Sequence, residues 1–125
     1  MLLTIDMAGD TPIYQQIRNQ IVLGVAKGEL KCGDSLPTVR QLAMDIGVNP
    51  MTVNKAYALL KNEGTIIIDR RHGAKISSKS IDSTTFDADF DRRALLLISE
   101  ASTRGAAKKE LIEHISRLID LVYPL

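Results

Sequence analysis

Leu36-Pro37-Thr38-Val39-Arg40-Gln41-Leu42-Ala43-Met44-Asp45-Ile46-Gly47-Val48-Asn49-Pro50-Met51-Thr52-Val53-Asn54-Lys55-Ala56-Tyr57 is punctuated twice in the same way. Thr38 offers a hydroxyl that accepts from a first-turn N–H, so the spacing predicts a short helix from Val39 to Ile46, with Val39, Leu42, Ala43 and Ile46 on one face. Gly47 stops that helix. Asn49 then caps another, whose first position holds Pro50, where a missing N–H costs nothing. This helix is expected to run to about Glu63, with Val53, Ala56, Tyr57 and Leu60 facing inward and Gly64 ending it.

Working outward, Thr11-Pro12 predicts an earlier helix, with Thr11 as N-cap and Pro12 at the first helical position. Ile13, Ile17, Ile21 and Val25, flanked by Tyr14 and Val22, form its apolar stripe, and Gly28 closes it. Leu30 to Leu36, with Gly33 and Asp34, reads as a turn. Downstream, the β-branched run Thr65 to Asp69 reads as a strand, Arg70-Arg71-His72-Gly73 as a turn, and Ala74 to Ser77 as the return strand. Ser78 to Thr85 is polar. Helical period then returns, with Phe86, Phe90, Ala94, Leu97, Ile98 and Ala101 in one stripe broadened by Leu95. Gly105 interrupts it before a last helix, Lys108 to Tyr123, whose apolar residues are Leu111, Ile112, Ile115, Leu118, Ile119 and Val122. The expected fold is mainly α with a small β-hairpin. Its expected organisation is one domain over residues 1–77, a linker over 78–85 and a helical tail over 86–125.

Composition bounds the function. The 125 residues are 45% hydrophobic and 25% charged, as expected of one globular domain with an appendage. Aromatics are 4% and Trp is absent, so the core must be aliphatic. No apolar run reaches the roughly 18 residues of a membrane span, and the N-terminus lacks a basic region followed by a long apolar stretch. These features point to the cytoplasm. A lone Cys32 excludes an internal disulfide and a cysteine-based zinc site, and no metal or cofactor is expected. Net charge is +1, but residues 1–80 hold 10 Lys/Arg against 7 Asp/Glu (+3), and residues 81–125 hold 6 against 8 (−2). The change of sign suggests two parts with different work.

Two short helices about Gly47-Val48-Asn49 have helix-turn-helix proportions, in which the second helix enters the major groove. A hairpin with Arg70, Arg71, His72 and Lys75 after three helices adds a wing whose cations would meet phosphates or a minor groove.

The residues resemble the GntR-type winged-helix repressors over roughly 11–77. The match runs through Pro12-Ile13-Tyr14, Ile17, Ile21, Gly28-Glu29-Leu30 and Gly33. It continues through Leu36 to Ala43, Gly47 to Tyr57, Leu60, Glu63-Gly64 and the wing Gly73. The short helical tail resembles that of the YtrA-like subgroup, which implies dimerisation through the tail and no large effector domain. Thr38 stands where the family usually has Ser, and either caps a helix. In the wing, where Arg-Gly-x-Gly-Thr-Phe is common, Arg71 replaces the first glycine and Ala74-Lys75 the Thr-Phe pair, adding two cations.

The resemblance makes Arg40 the leading candidate, a planar fork able to bridge a base edge and phosphate. Thr38 begins the same helix. Asn49, Met51, Thr52, Asn54 and Lys55 lie in the first turns of the recognition helix, with Lys55 suited to phosphate; Asn49 and Thr52 either contact DNA or cap and pack. Tyr57 either donates to phosphate or belongs to the core. His72 sits either in a minor groove, beside a Gly73 that permits close approach, or in solvent. Cys32 is either a bystander or a redox thiol. His114, near Glu110, Glu113 and Arg117, reads as part of a solvated helix face. Phe86, Phe90, Leu97, Ile98 and the apolar residues of the last helix are the candidate dimer contacts; the other possibility is that both helices fold back on the chain's own DNA-binding domain.

The function expected is a homodimeric repressor binding an inverted-repeat DNA operator, with or without modulation by a small-molecule effector. The competing reading is an architectural or adaptor winged-helix module without operator specificity. An enzyme is not expected: neither histidine has a nucleophile or carboxylate in a catalytic arrangement, there is no phosphate-cradling glycine loop, and Asp87, Asp89 and Asp91 lack an EF-hand layout.

Overall fold

The computed structural model describes residues 3–71, 73–78 and 86–123. In chain order these form α1 (Ile13–Ala26), α2 (Val39–Ile46), α3 (Pro50–Asn62), β1 (Ile66–Asp69), β2 (Gly73–Ile76), α4 (Ala88–Thr103) and α5 (Lys108–Val122). The chain divides into two compact units, residues 1–79 and 80–125.

In the first unit α1 packs on α3, and α3 packs in turn on α2 and β1. Ile17 and Ile21 of α1, Leu42 of α2, Val53 and Leu60 of α3, and Ile66 and Ile76 of the strands are all buried. The core is thus aliphatic apart from Tyr57, and each such side chain contributes about 1.5–3 kcal/mol on leaving water. Helix α1 begins one residue later than its cap signal predicts. Pro12, not Thr11, is the N-cap: its ψ of 145° is extended, and no side chain caps the helix. The Pro12 carbonyl accepts from the N–H groups of Gln15 and Gln16, both at 3.0 Å.

The same helix grips the segment before it. Gln20 accepts from the Thr4 N–H at 2.9 Å and donates to the Thr4 carbonyl, while Gln16 accepts from the Asp6 N–H at 2.8 Å and donates to the Asp6 carbonyl at 2.9 Å. Four helical residues rise about 6 Å and two extended residues about 6.6 Å, so the two amides match alternate residues of an extended arm. Leu3 and Ile5 pack on the core beneath them.

Strands β1 and β2 pair antiparallel with Ile66 opposite Ile76, Ile67 opposite Lys75, Ile68 opposite Ala74 and Asp69 opposite Gly73. Residues 33–36 give β2 a further partner, which corrects the reading of Leu30 to Leu36 as a turn. Ser35 bridges Lys75, Gly33 and Leu36 donate to the carbonyls of Ile76 and Ala74 at 2.9 Å, and Ile76 donates to Asp34 at 2.9 Å. The turn itself is confined to Lys31–Asp34, where Asp34 accepts from the Lys31 N–H at 2.8 Å, leaving the next two residues free to extend. Thr65 is not in β1 because its N–H still donates to Leu60 at the end of α3.

In the second unit Asp87 caps α4, accepting from the Phe90 N–H at 2.8 Å. Phe86 therefore lies ahead of the helix, its ring edge-on to Phe90 with centroids 5.1 Å apart. Gly105, at φ 96°, turns the chain, and Glu110 accepts from the Ala107 N–H at 2.9 Å to open α5. No residue of α4 or α5 is buried. Among the described residues no helix is long and apolar enough to cross a membrane.

Candidate nucleic-acid interface

Both predicted caps are formed. Thr38 Oγ1 accepts from the Gln41 N–H at 3.1 Å, and Asn49 Oδ1 accepts from the Met51 N–H at 2.8 Å. Between them Gly47 takes φ 71° and ψ 40°, a left-handed conformation that glycine adopts without a Cβ penalty, and its N–H returns to the Ala43 carbonyl. The reversal between α2 and α3 is therefore set by three short-range features of the sequence. It brings the first turns of α3 into solvent: Asn49, Met51, Asn54 and Lys55 are exposed and Thr52 is half-buried. Met51, at 78% exposure, is an unbranched apolar side chain held in water.

Arg40, the second residue of α2, is exposed, and no described residue holds it by a hydrogen bond or ion pair. Its guanidinium is free to meet a ligand. Thr38 is exposed beside it even while its oxygen caps the helix.

Tyr57 faces the core, which favours the packing role over the phosphate contact. It is 2% exposed, and its hydroxyl donates to the Pro37 carbonyl at 2.8 Å. Burial pushes its pKa up to about 12. The hydroxyl thus ties the middle of α3 to the residue before the α2 cap, fixing the approach of the two helices. The sequence left both readings open because an inward-facing tyrosine at this period packs equally well with its hydroxyl buried or emergent.

In the wing Arg70 and Arg71 are exposed, Gly73 is exposed at φ 73°, and Lys75 is half-buried. Asp69 Oδ1 accepts from the Arg71 N–H at 2.9 Å, shaping the turn. His72 lies outside the described residues. The replacement of the family's Thr-Phe pair by Ala74-Lys75 leaves the strand intact, since Ala74 and Ile76 are buried while Lys75 pairs on both sides.

Two contacts were not legible in the sequence. The Lys55 ammonium lies over the Tyr14 ring, 4.0 Å from its centroid. Arg18 of α1 meets Glu63 at the end of α3, its Nε 3.0 and 3.1 Å from the two carboxylate oxygens. That hydrogen bond is the main cause of a raised Arg18 pKa, outweighing desolvation. Each contact joins residues far apart in sequence, where no periodicity signals a partner.

In the second unit Phe86, Phe90, Leu97, Ile98, Ile112, Leu118 and Ile119 are exposed, and Leu111, Ile115 and Val122 half-buried. Ile98, Leu111, Ile112, Ile115 and Ile119, with Ser116, line an apolar cleft of about 350 Å³. Cys32 is exposed. His114 Nδ1 lies 3.4 Å from Arg117 Nη2. Among the described residues no group of His, Cys, Asp and Glu could hold a metal.

Residues 11–76 match the family described as bacterial regulatory proteins, gntR family. The HTH-type transcriptional repressor YtrA of Bacillus subtilis is 46% identical over 79 residues, an alignment that spans 63% of this chain and 61% of that protein. The HTH-type transcriptional regulator Rv1152 of Mycobacterium tuberculosis is 32% identical over 118 residues, 94% of either chain. A solved structure, a transcriptional antiterminator from Listeria monocytogenes, superposes with a TM-score of 0.87 at 29% identity, covering 98% of this chain and 93% of that one.

Proposed function

Since the chain belongs to the gntR family of bacterial regulatory proteins, and is as such a DNA-binding transcription regulator, we propose that it works as a homodimeric repressor reading an inverted-repeat operator. The observation that carries this reading is the unpartnered Arg40 beside a recognition helix whose first turns face solvent. Arg40, Met51 and Asn54 supply base-edge contacts, while Lys55, Arg70, Arg71 and Lys75 neutralise phosphates. Thr38 and Asn49 set the helix ends, and with Thr52 they lie within reach of the backbone. Such an operator is genomic, so the cytoplasm is the place of action.

The apolar faces of α4 and α5 support the homodimer. Leu97, at 61% exposure, and Ile112, at 59%, would be covered by the same helices of a second copy. Such a pairing places two reading heads on one duplex, and each half-site then raises the effective concentration of the other. A regulatory ligand would act by biasing the spacing of the two heads.

Selection of bound duplexes from a random-sequence pool at near-physiological salt tests the proposal. The expected product is an inverted repeat with half-sites about one helical turn apart or a multiple of it. Binding without enrichment would overturn operator reading and leave an architectural module. Enrichment of single half-sites by a sedimenting monomer would overturn the dimer.

A further inference from the structure

We propose that Tyr14 is a positioning residue for DNA binding, holding the Lys55 ammonium in place before phosphate arrives. The inference rests on the reading of Lys55 as a phosphate contact and goes beyond it by assigning a role on a different helix. Lys55 projects from α3 into solvent, and no described residue forms an ion pair with it. A free lysine there would sample many rotamers, and fixing it on binding costs side-chain entropy. Instead its Nζ sits 4.0 Å from the centroid of the Tyr14 ring. Tyr14 is half-buried in the first turn of α1 and packs against the core, so the ring is a fixed platform rather than a second mobile side chain.

The chemistry of the contact suits this role. An ammonium over a ring face is held by the quadrupole without being neutralised, so its charge remains available. An aspartate or glutamate at the same place would hold the lysine equally well but cancel the charge that phosphate needs. The ring covers one side of the ammonium and leaves its other donors in water, so phosphate can bind without displacing the platform. Pre-organisation of this kind raises affinity by reducing the ordering cost at the interface.

Lys55 ε-proton chemical shifts and affinity for a short mixed-sequence duplex test the inference in the full-length protein. A phosphate contact is independent of base sequence, so no operator is needed. In the free protein the ε-protons are expected upfield, shielded by the ring. That shift should survive Tyr14→Phe and vanish in Tyr14→Leu. Tyr14→Leu is expected to weaken binding roughly 2–5-fold, the range of an exposed cation–π contact, with Tyr14→Phe near wild type. In a Lys55→Met background Tyr14→Leu should change affinity no further. An equal loss in that background, or Tyr14→Phe as weak as Tyr14→Leu, would overturn the positioning role. If Lys55→Met leaves both affinity and its dependence on salt unchanged, the failure lies in the phosphate assignment instead; a true phosphate contact lowers the salt slope by about 1.

Discussion

Tyr57→Phe separates a core tyrosine from a DNA-binding one. The substitution keeps the ring and removes one hydroxyl, which in the native protein donates to the Pro37 carbonyl at 2.8 Å. A net hydrogen bond is worth about 0.5–1.5 kcal/mol, and leaving the half-buried Pro37 carbonyl unpaired adds to it, so a loss of about 1–2 kcal/mol is expected. For a unit of this size that lowers Tm by roughly 4–16 °C. Affinity for DNA at a temperature where both proteins are folded should stay within about twofold. The pH dependence gives a second readout. Burial lifts the Tyr57 pKa from its usual 10.0 to about 12, so the folded state keeps a proton that the unfolded state releases. Stability is therefore indifferent to this group below pH 10. Between pH 10 and about 12 it falls by about 1.4 kcal/mol per unit. Urea titrations across that range, wild type minus variant, should show this slope in the wild type alone. An unchanged Tm together with weakened DNA binding would refute the assignment and return the hydroxyl to the phosphate backbone.

Arg40→Ala should leave Tm and oligomeric state unchanged while weakening a selected half-site by about 1–3 kcal/mol, or roughly 5–150-fold, measured by fluorescence anisotropy; unaltered affinity would remove Arg40 from the interface. Ile112→Asp places a charge on the exposed apolar face of α5 and is expected to give a monomer by sedimentation, with binding reduced to that of a single half-site; a persistent dimer would show that this face is not the contact. Gly47→Ala forces a Cβ into φ 71°, with open space around it; strain alone should cost about 1 kcal/mol in a thermal melt.

Apart from the start of α1, the fold was legible where its cause was local. Thr38, Gly47, Asn49 and Pro50 set helix ends through hydrogen bonds and backbone freedom spanning three or four residues, and the same rule found Gly105 and the two tail helices. Where a cause spans the chain, the sequence carried no trace of it. The extended character of Ser35 depends on Lys75, forty residues on, and the platform under Lys55 comes from α1. The Thr11 cap failed for a narrower reason: Pro12 itself kept an extended ψ and served as the boundary. Site residues divided in the same way. Exposure at Arg40, Met51 and Asn54 follows from helical period, whereas the hydroxyl of Tyr57 depended on where the carbonyl before α2 came to rest.

The bridge between Ser35 and Lys75 has a mechanical consequence. With the hydrogen bond from Leu36 to Ala74 it clamps the wing over most of its length, so that only one register pair, Asp69 with Gly73, extends past the clamp. An overhang so short bends little, and it springs from strands whose Ile66 and Ile76, with Leu36, belong to the buried core. Small changes in those three side chains would therefore shift Arg70 and Arg71, so that the hydrophobic interior sets where the cations of the wing lie.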